Sequence, residues 1–543
     1  MKKFITFFSA LLVIQVVNAQ NLMLPLDDTY NYREQAAAYS SKQHFHTALK
    51  GLTTFDLNKI TNVDSIRSID YIKPERGYVW NSIFNRDVLR YKNENTFIAA
   101  NPIMDFEVGK DKSRTIWENR RGVEIKGDIY SKVSFYFQLN ETQLVLPEYL
   151  TQYARKNGVV PGQGYGSRFK TDGFDLRTTA SAYINWRMAH WFTATLGYGK
   201  NFIGDGYRSM LVSDNAYSYP YLRLTADFWH LQYSCIYSQM TDKNTLFVID
   251  DASTDVARYG RKWVIMHYLD WAITKRINIG FFDVMVARAQ NSNGTNRGFD
   301  VQYINPIIYL RQADYYAGSS PDNALLGFNA SIILGKHTTI YGQFALDEMI
   351  FKDFISFKGM RDNKQSYQLG VKSYDCFGIE NLFLQLEGNI VRPYMYAHRS
   401  GMDNYAHYNQ PLAHPWGANF WECVVRAQYN YKRFYFQYKF NGGQWGDDKE
   451  NENYGHNIFL DYRDAVFISG EDGREGHYLL TGQKNTLIMN NLTVSWLVNP
   501  SYNLNIFVEG TQRSRQIQDS DNENTFIVSF GIKTSLNRHY YDF

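Results

Sequence analysis

The chain has 543 residues, of which 16% are aromatic, a formal net charge of +3 and a mean hydropathy of −0.43. Nearly balanced charge argues against a nucleic-acid-binding protein. After the first 19 residues, no apolar run reaches the roughly 18–20 residues of a transmembrane helix. Many aromatic residues in a chain of polar average composition are typical of membrane β-barrels, whose strands expose apolar side chains on one face only.

The N-terminus has the pattern of a secretory signal peptide over Met1–Ala19. Lys2 and Lys3 precede an apolar run from Phe4 to Val17, and small residues follow at the expected cleavage position. The residue directly after this segment is Gln20 and not a cysteine, so we expect no lipoprotein anchor. The pattern predicts an exported protein.

Residues 20–95 lack the period-two alternation of membrane strands, and Glu34–Lys50 is a candidate helix. We treat this part as a separate N-terminal region. A periplasmic cap, a plug in the barrel lumen and a disordered lead-in are all compatible with its sequence.

Residues 96–543 are predicted to form an antiparallel, all-β transmembrane barrel. Eight tight turns are each flanked by segments of about ten residues with period-two alternation, the length of a tilted membrane strand. A first strand near Phe97–Val108 and a last one from Thr525 to Leu536, shortly before Phe543, bring the prediction to eighteen strands. The turns lie at Ser131-Lys132, Ala189-His190, Trp229-His230, Lys275-Arg276, Gly335-Lys336, Phe377-Gly378, Lys432-Arg433 and Asn499-Pro500.

Long connections alternate with these turns, and we expect them on the cell exterior. The predicted external segments are 140–174, 199–221, 241–260, 289–322, 348–365, 391–417, 443–485 and 512–524. In the hairpin around Lys432-Arg433, a slip of one residue would place Arg426 or Lys439 in lipid, at a cost of about 2–4 kcal/mol near the midplane. The register predicts that both cations face the lumen.

One candidate site is the glycine-rich segment with Gly204, Gly206, Arg208 and Ser209. It superficially looks like a phosphate-binding loop, but no helix or βαβ unit follows it. We interpret it as a loop whose glycines adopt positive φ and which carries Arg208 inward. Two roles for Arg208 are open at this stage, ligand contact and bracing of the barrel wall.

A second candidate site lies in the segment around residues 394–416. Aromatic rings with imidazole and amide donors suit a sugar, whose faces stack on rings while its hydroxyls form hydrogen bonds. An interfacial aromatic belt or a packed loop is the alternative. The candidate ligand-binding residues here are His398, Tyr405, His407, Tyr408 and Trp416.

No catalytic, metal or cofactor site emerges from the sequence. The histidines at 398, 407 and 414 do not have zinc-site spacing, and no local signature unites a serine, a histidine and an acid. Cys235, Cys376 and Cys423 are interpreted as small apolar residues. Several members of a set of charged residues in strands are expected to face the lumen; the set is Arg120, Arg121, Glu124, Arg187, Arg223, Asp227, Asp270 and Asp283. We therefore expect a protein that is not an enzyme.

The motifs together resemble the Wzi-like family of capsule-assembly outer-membrane barrels. The similarity covers residues 95–543 and is carried by Arg121–Gly127, Phe202–Ser209, Asn215–Pro220 and Tyr394–Trp416. Within the family, the chain is most similar to gliding-motility-associated members from Bacteroidetes. The resemblance adds Asn215 and Tyr219 to the candidate ligand-binding residues.

The resemblance implies an eighteen-stranded, monomeric barrel in the outer-membrane lipid. Its implied partners are surface polysaccharide, as in capsule or exopolysaccharide attachment, and the gliding machinery. A diffusion porin or a substrate-specific channel is the alternative, because barrels of sixteen to eighteen strands leave an aqueous lumen unless something fills it.

Overall fold

The computed structural model describes residues 21–40, 43–72, 76–112, 114–170, 172–251, 254–291, 293–310, 322–470 and 472–543. The predicted signal peptide, Met1–Ala19, lies outside these residues. In the described part of the chain, every helix is too short or too polar to cross a membrane.

The predicted antiparallel barrel is confirmed, with eighteen long strands and closure by pairing of the first strand with the last. The strands are β1 (Thr96–Asp111), β2 (Arg114–Ile129), β3 (Val133–Val145), β4 (Gly173–Ala189), β5 (Phe192–Gly199), β6 (Tyr219–Phe228), β7 (Leu231–Asp251), β8 (Thr254–Ala272), β9 (Ile277–Arg288), β10 (Asn323–Leu334), β11 (Thr338–Glu348), β12 (Lys364–Ser373), β13 (Leu382–Val391), β14 (Phe420–Tyr431), β15 (Phe434–Asp447), β16 (Gln483–Asn499), β17 (Leu504–Ile517) and β18 (Glu523–Lys533). Short strands at Leu89–Lys92 and Ser167–Phe169 extend the same sheet.

All eight predicted tight turns connect neighbouring strands at one end of the barrel. The predicted external segment 241–260 is not a loop, because β7 and β8 continue as a paired hairpin to Asp251 and from Thr254.

The outer face of the barrel is apolar and the inner face is polar. In the hairpin of β14 and β15, Phe434, Phe436 and Tyr438 are exposed on the outside. Arg426 and Lys439 bind carboxylates inside, so the predicted register is confirmed. A contiguous apolar belt of this kind marks a surface that meets lipid.

The N-terminal region packs inside the barrel near the tight turns. Its helices are α1 (Tyr32–Tyr39), α2 (Thr54–Leu57), α3 (Val63–Ser68) and α4 (Tyr78–Phe84). Asp28 pairs with Arg426 of β14 at 2.9 Å, and the Tyr39 hydroxyl donates to Asp205 at 2.5 Å. The predicted helix over Glu34–Lys50 is shorter in the structure and ends at Tyr39. Leu49, near its predicted end, instead forms a β-bridge with Ile203.

The last strand is shorter than predicted, and the chain after it turns into the lumen. β18 ends at Lys533 because buried Asp105 accepts the backbone N–H groups of Thr534 and Ser535, at 2.9 and 3.1 Å. These bonds divert the chain although the alternating pattern continues to Leu536. The vacant edge of β1 pairs with the strand Leu89–Lys92 instead.

Candidate functional site

The glycine-rich segment lies in the centre of the lumen. Gly204 has φ of +149°, and a Cβ at this position would meet Gln343 Nε2 at 2.5 Å. A side chain at Gly206 would collide with Glu387. The predicted positive φ is therefore confirmed for Gly204 and wrong for Gly206, where the close approach of Glu387 leaves no room for a side chain.

Arg208 is fully buried and bound to carboxylates on two other parts of the chain. Its Nη2 lies 2.6 Å from Glu422 Oε1 and 3.0 Å from Asp542 Oδ1. Burial raises the pKa of Asp542, but Arg208 and Lys439 outweigh it and hold this pKa at about 2. Arg208 thus braces the lumen. A ligand contact of Gly204, Gly206, Arg208 or Ser209 stays a prediction.

The lid loop, residues 392–419, covers this network and contains the second predicted site. The Tyr405 hydroxyl donates to the Leu211 carbonyl at 2.8 Å, and the lid is joined to Asn215, whose Nδ2 donates to the Pro411 carbonyl at 3.0 Å. Tyr219 is also buried below the lid. In the described residues, no cluster of histidine, cysteine and acidic side chains is suited to a metal ion.

Two buried histidines of the lid have different electrostatic surroundings. His407 Nδ1 accepts the Thr241 N–H at 3.0 Å, and burial lowers the pKa of this histidine to about 3. His398 lies 3.7 Å from Asp403 Oδ2. Burial raises the pKa of Asp403, but the hydrogen-bonded guanidinium of Arg288 and the nearby His398 outweigh it and hold this pKa at about 2. His407 and the pair of His398 and Asp403 therefore stabilise the packed lid and are turned away from solvent.

Trp416 at the end of the lid lines an open aromatic pocket of about 290 Å³ on the long-loop end of the barrel. Its ring lies 5.3 Å from that of Trp445. Arg513 supports the pocket by lying over Tyr149 at 4.4 Å. We call this the tryptophan pocket; its walls also include Tyr153, Phe459, Arg515 and Phe543.

Tyr408 belongs to a second aromatic surface, the tyrosine cage, in which three rings surround the ammonium group of Lys243. The Lys243 Nζ lies 4.6 Å from the ring centre of Tyr165, 5.7 Å from that of Tyr259 and 4.8 Å from that of Tyr408. Tyr165 and Tyr259 are 58% and 45% exposed. Their rings are thus accessible from outside the barrel.

A helix in the β3–β4 connection, α5 (Glu148–Asn157), separates the two surfaces and contacts both. Tyr149 and Tyr153 lie one turn apart on the face toward the tryptophan pocket. At its other end, Asn157 accepts a hydrogen bond from Asn409 Nδ2 at 3.1 Å beside the cage. The sequence did not lead us to predict this helix, although the four-residue spacing of Tyr149 and Tyr153 is typical of one helix face.

Of the predicted site residues, the structure therefore brings only Tyr408 and Trp416 to the walls of these two surfaces, and Trp416 is itself 6% exposed. The others lie in the packed lumen or lid. The residues missed by sequence reasoning are Tyr149, Tyr153, Tyr165, Lys243, Tyr259, Trp445, Phe459, Arg513 and Arg515.

Comparison with known proteins identifies the fold. No family model and no curated protein matches the sequence. Among solved structures, Wzi of Escherichia coli, described as an outer-membrane protein involved in group 1 capsule assembly and a carbohydrate-binding β-barrel, is 12% identical. The match covers 95% of this chain and 99% of Wzi, with a TM-score of 0.54. The protein therefore has the fold of outer-membrane barrels.

A second structure similar to this chain is OprD of Pseudomonas aeruginosa, which is 10% identical in sequence. The match covers 83% of this chain and 97% of the OprD chain, with a TM-score of 0.40. OccAB2 of Acinetobacter baumannii is 9% identical over 81% of this chain and 98% of its own, with a TM-score of 0.41. Likeness at this level adds nothing to the fold assignment.

Proposed function

We propose that this protein is an outer-membrane barrel that binds cell-surface polysaccharide through the tryptophan pocket and the tyrosine cage. The observation that carries the proposal is the placement of both aromatic surfaces on the long-loop end, on either side of helix α5. Carbohydrate rings pack on aromatic faces, and polar groups at the edge take hydrogen bonds from hydroxyls. A polymer with repeated units gains avidity by engaging two such surfaces together.

The segments inside the lumen favour attachment over transport. The N-terminal region, the glycine-rich segment, the lid loop and residues 534–543 all enter the barrel, where ion pairs and hydrogen bonds join them and leave cavities of about 630 and 320 Å³. The carbohydrate binding described for Wzi supports the same assignment. The proposed surfaces hold their ligand and require no chemical conversion of it, and the proposed location is the outer membrane.

The test is polysaccharide retention on cells that lack the gene. Cell-bound and shed polysaccharide are measured after complementation with the natural chain and with the double variant Tyr153→Ala/Tyr165→Ala. We expect shedding to be reversed by the natural chain only. Equal retention with both chains contradicts the proposal.

Two other outcomes point to the alternatives. Normal retention with impaired colony spreading would favour the gliding machinery as partner, in line with the resemblance to gliding-associated members. Steady single-channel openings of the purified protein in planar bilayers would favour a porin.

A further inference from the structure

The outer wall of the barrel carries a polar row on β7, β8 and β9. Cys235 is paired directly with His267, and His267 is paired directly with Asp283. All three side chains point away from the lumen, together with the outward-facing Ile265 and Met285. Directly opposed residues on antiparallel strands have Cβ atoms about 5 Å apart. The sheet register therefore aligns a thiol, an imidazole and a carboxylate.

The histidine is oriented by the acid and retains a free nitrogen. His267 Nδ1 lies 3.0 Å from Asp283 Oδ1, and both side chains are more than nine-tenths buried. Among the described residues, His267 Nε2 has no hydrogen-bond partner. Cys235, on the opposite side of the histidine from Asp283, is 5% exposed and unoxidised.

This row lies at a depth where charged groups are costly. His267 is four residues above the outward-facing Trp271 near the tight turns, which places it roughly 10 Å along the membrane normal in a tilted strand. An arginine or lysine facing lipid at the bilayer midplane costs about 2–4 kcal/mol, and an acid costs less. Residues retained at this cost commonly serve a function.

A connecting segment covers the row from outside the barrel. This outer strap, residues 299–310, follows β9 and runs down over the wall. The Tyr309 N–H donates to Asp283 Oδ2 at 2.8 Å, the Tyr237 hydroxyl donates to the Ile304 carbonyl at 3.1 Å, and the Phe299 ring lies 5.1 Å from that of Trp263. The strap shields the row from lipid and water.

The hydrogen bond that anchors the strap gives a structural reason for the Asp283 carboxylate. It gives none for the Cys235 thiol or for the unpartnered Nε2 of His267. A nucleophile, a base and an acid that orients the base are the components of covalent acyl transfer. The surrounding solvent is lipid, which supplies acyl esters. We propose that Cys235 is a nucleophilic thiol that accepts an acyl group from a membrane lipid, with His267 as its base and Asp283 as the positioning residue.

The chemistry is a single acyl transfer. His267 Nε2 takes the thiol proton while the sulfur forms a bond to the ester carbonyl carbon. The bond from that carbon to the alcohol oxygen then breaks, and His267 returns the proton to the leaving alcohol. The products are a thioester on Cys235 and a lysolipid, with no oxidant or further reactant needed. The strap must move aside for the lipid to enter.

The test uses the full-length protein in vesicles of phosphatidylethanolamine with an alkyne-tagged acyl chain. We expect transfer of the tag to Cys235 and its release by neutral hydroxylamine, which cleaves thioesters. His267→Asn should slow the transfer about 100-fold or more, the usual contribution of a general base. A parallel reaction in detergent with p-nitrophenyl palmitate should release one nitrophenolate per protein.

The chain offers a matched control in Cys423, an outward-facing cysteine of β14. Its cross-strand neighbours are Gly388 and Gly442, so neither of the residues paired with it is a base or an acid. Cys423→Ala should retain labelling and Cys235→Ala should abolish it. The proposal is wrong if Cys235 is unlabelled in both reactions, if Cys423 labels equally, or if a folded His267→Asn variant reacts at the natural rate.

Discussion

The lumen and the long-loop end of the barrel use similar residue types in opposite ways. In the lumen, Arg208, Glu422 and Asp542 satisfy one another at full burial. At the long-loop end, Tyr165 and Tyr259 leave aromatic faces open around Lys243. The contrast shows that charged and aromatic residues alone do not mark a ligand site. What distinguishes such a site is accessible, unfilled surface next to a rigid support.

The largest expected effect comes from breaking the lumen network with Glu422→Gln. This carboxylate accepts hydrogen bonds from Arg208, His414 and Asn441, the last at 2.6 Å. Loss of its charge leaves Arg208 partly uncompensated, and the free energy of unfolding should fall by about 3–5 kcal/mol. Urea unfolding of the purified barrel followed by tryptophan fluorescence measures this change.

The control is Glu452→Gln, at an exposed loop position, for which a change within about 0.5 kcal/mol is expected. If the two variants unfold at the same urea concentration, the lumen network is not the stabilising element described above.

The second effect concerns the tryptophan pocket. Tyr153→Ala removes a ring that packs 4.8 Å from Phe543 in the pocket wall. One aromatic contact is worth about 1–1.5 kcal/mol, so polysaccharide should bind roughly tenfold more weakly, with stability nearly unchanged. Isothermal titration of the purified barrel checks this, and Tyr130→Ala, at a tight turn on the opposite end, should bind normally.

The tyrosine cage should give a smaller effect. Tyr165→Ala removes one of three rings, so a loss of about 0.5–1 kcal/mol, or roughly two- to fivefold in affinity, is expected. If one polymer spans both surfaces, the double variant Tyr153→Ala/Tyr165→Ala should lose about the product of the single effects, because the affinity of a bivalent complex depends on both contacts together. Independent sites would instead leave the affinity of the unaltered surface unchanged in each single variant.

A separate effect is a loss of stability in acid that originates in the lid loop. His407 has a folded-state pKa of about 3 against an ordinary value of 6.5. The contribution of His407 to the free energy of unfolding is fully present above pH 6.5 and is lost as the pH falls toward 3. The reason is that the unfolded chain takes up the proton first. The pKa of Asp403 is about 2 in the folded protein against an ordinary value of 3.8, so this residue adds a further loss of stability below pH 3.8.

Urea midpoints measured from pH 7 to pH 3 test this dependence. His407→Gln should flatten the decline between pH 6.5 and 4 while leaving the decline below pH 3.8. An unchanged curve for this variant would show that His407 does not titrate as the buried site requires.

The barrel itself was predictable because strand alternation and strand length follow directly from the bilayer. The hairpin of β14 and β15 shows this: one register alone keeps Arg426 and Lys439 out of lipid. The end of β18 was not predictable, since the alternation continues to Leu536 and the deciding hydrogen bonds come from Asp105, 429 residues away.

The candidate site was predicted only in part for the same reason. Tyr408 and Trp416 were identified by composition, but burial of His398, Tyr405 and His407 depends on how the lid packs on the glycine-rich segment. Arg208 and Glu422 are 214 residues apart, and no local pattern announces their pairing. The alignment of Cys235, His267 and Asp283 likewise depends on sheet register across three strands.

The most direct test of the account is a binding titration of immobilised purified barrel with polysaccharide extracted from the same cells. The natural chain should bind saturably, and Tyr153→Ala/Tyr165→Ala should lose binding while unfolding at the same urea concentration. Equal binding by the two proteins, or none by the natural chain, would contradict the assignment of polysaccharide binding to the long-loop end.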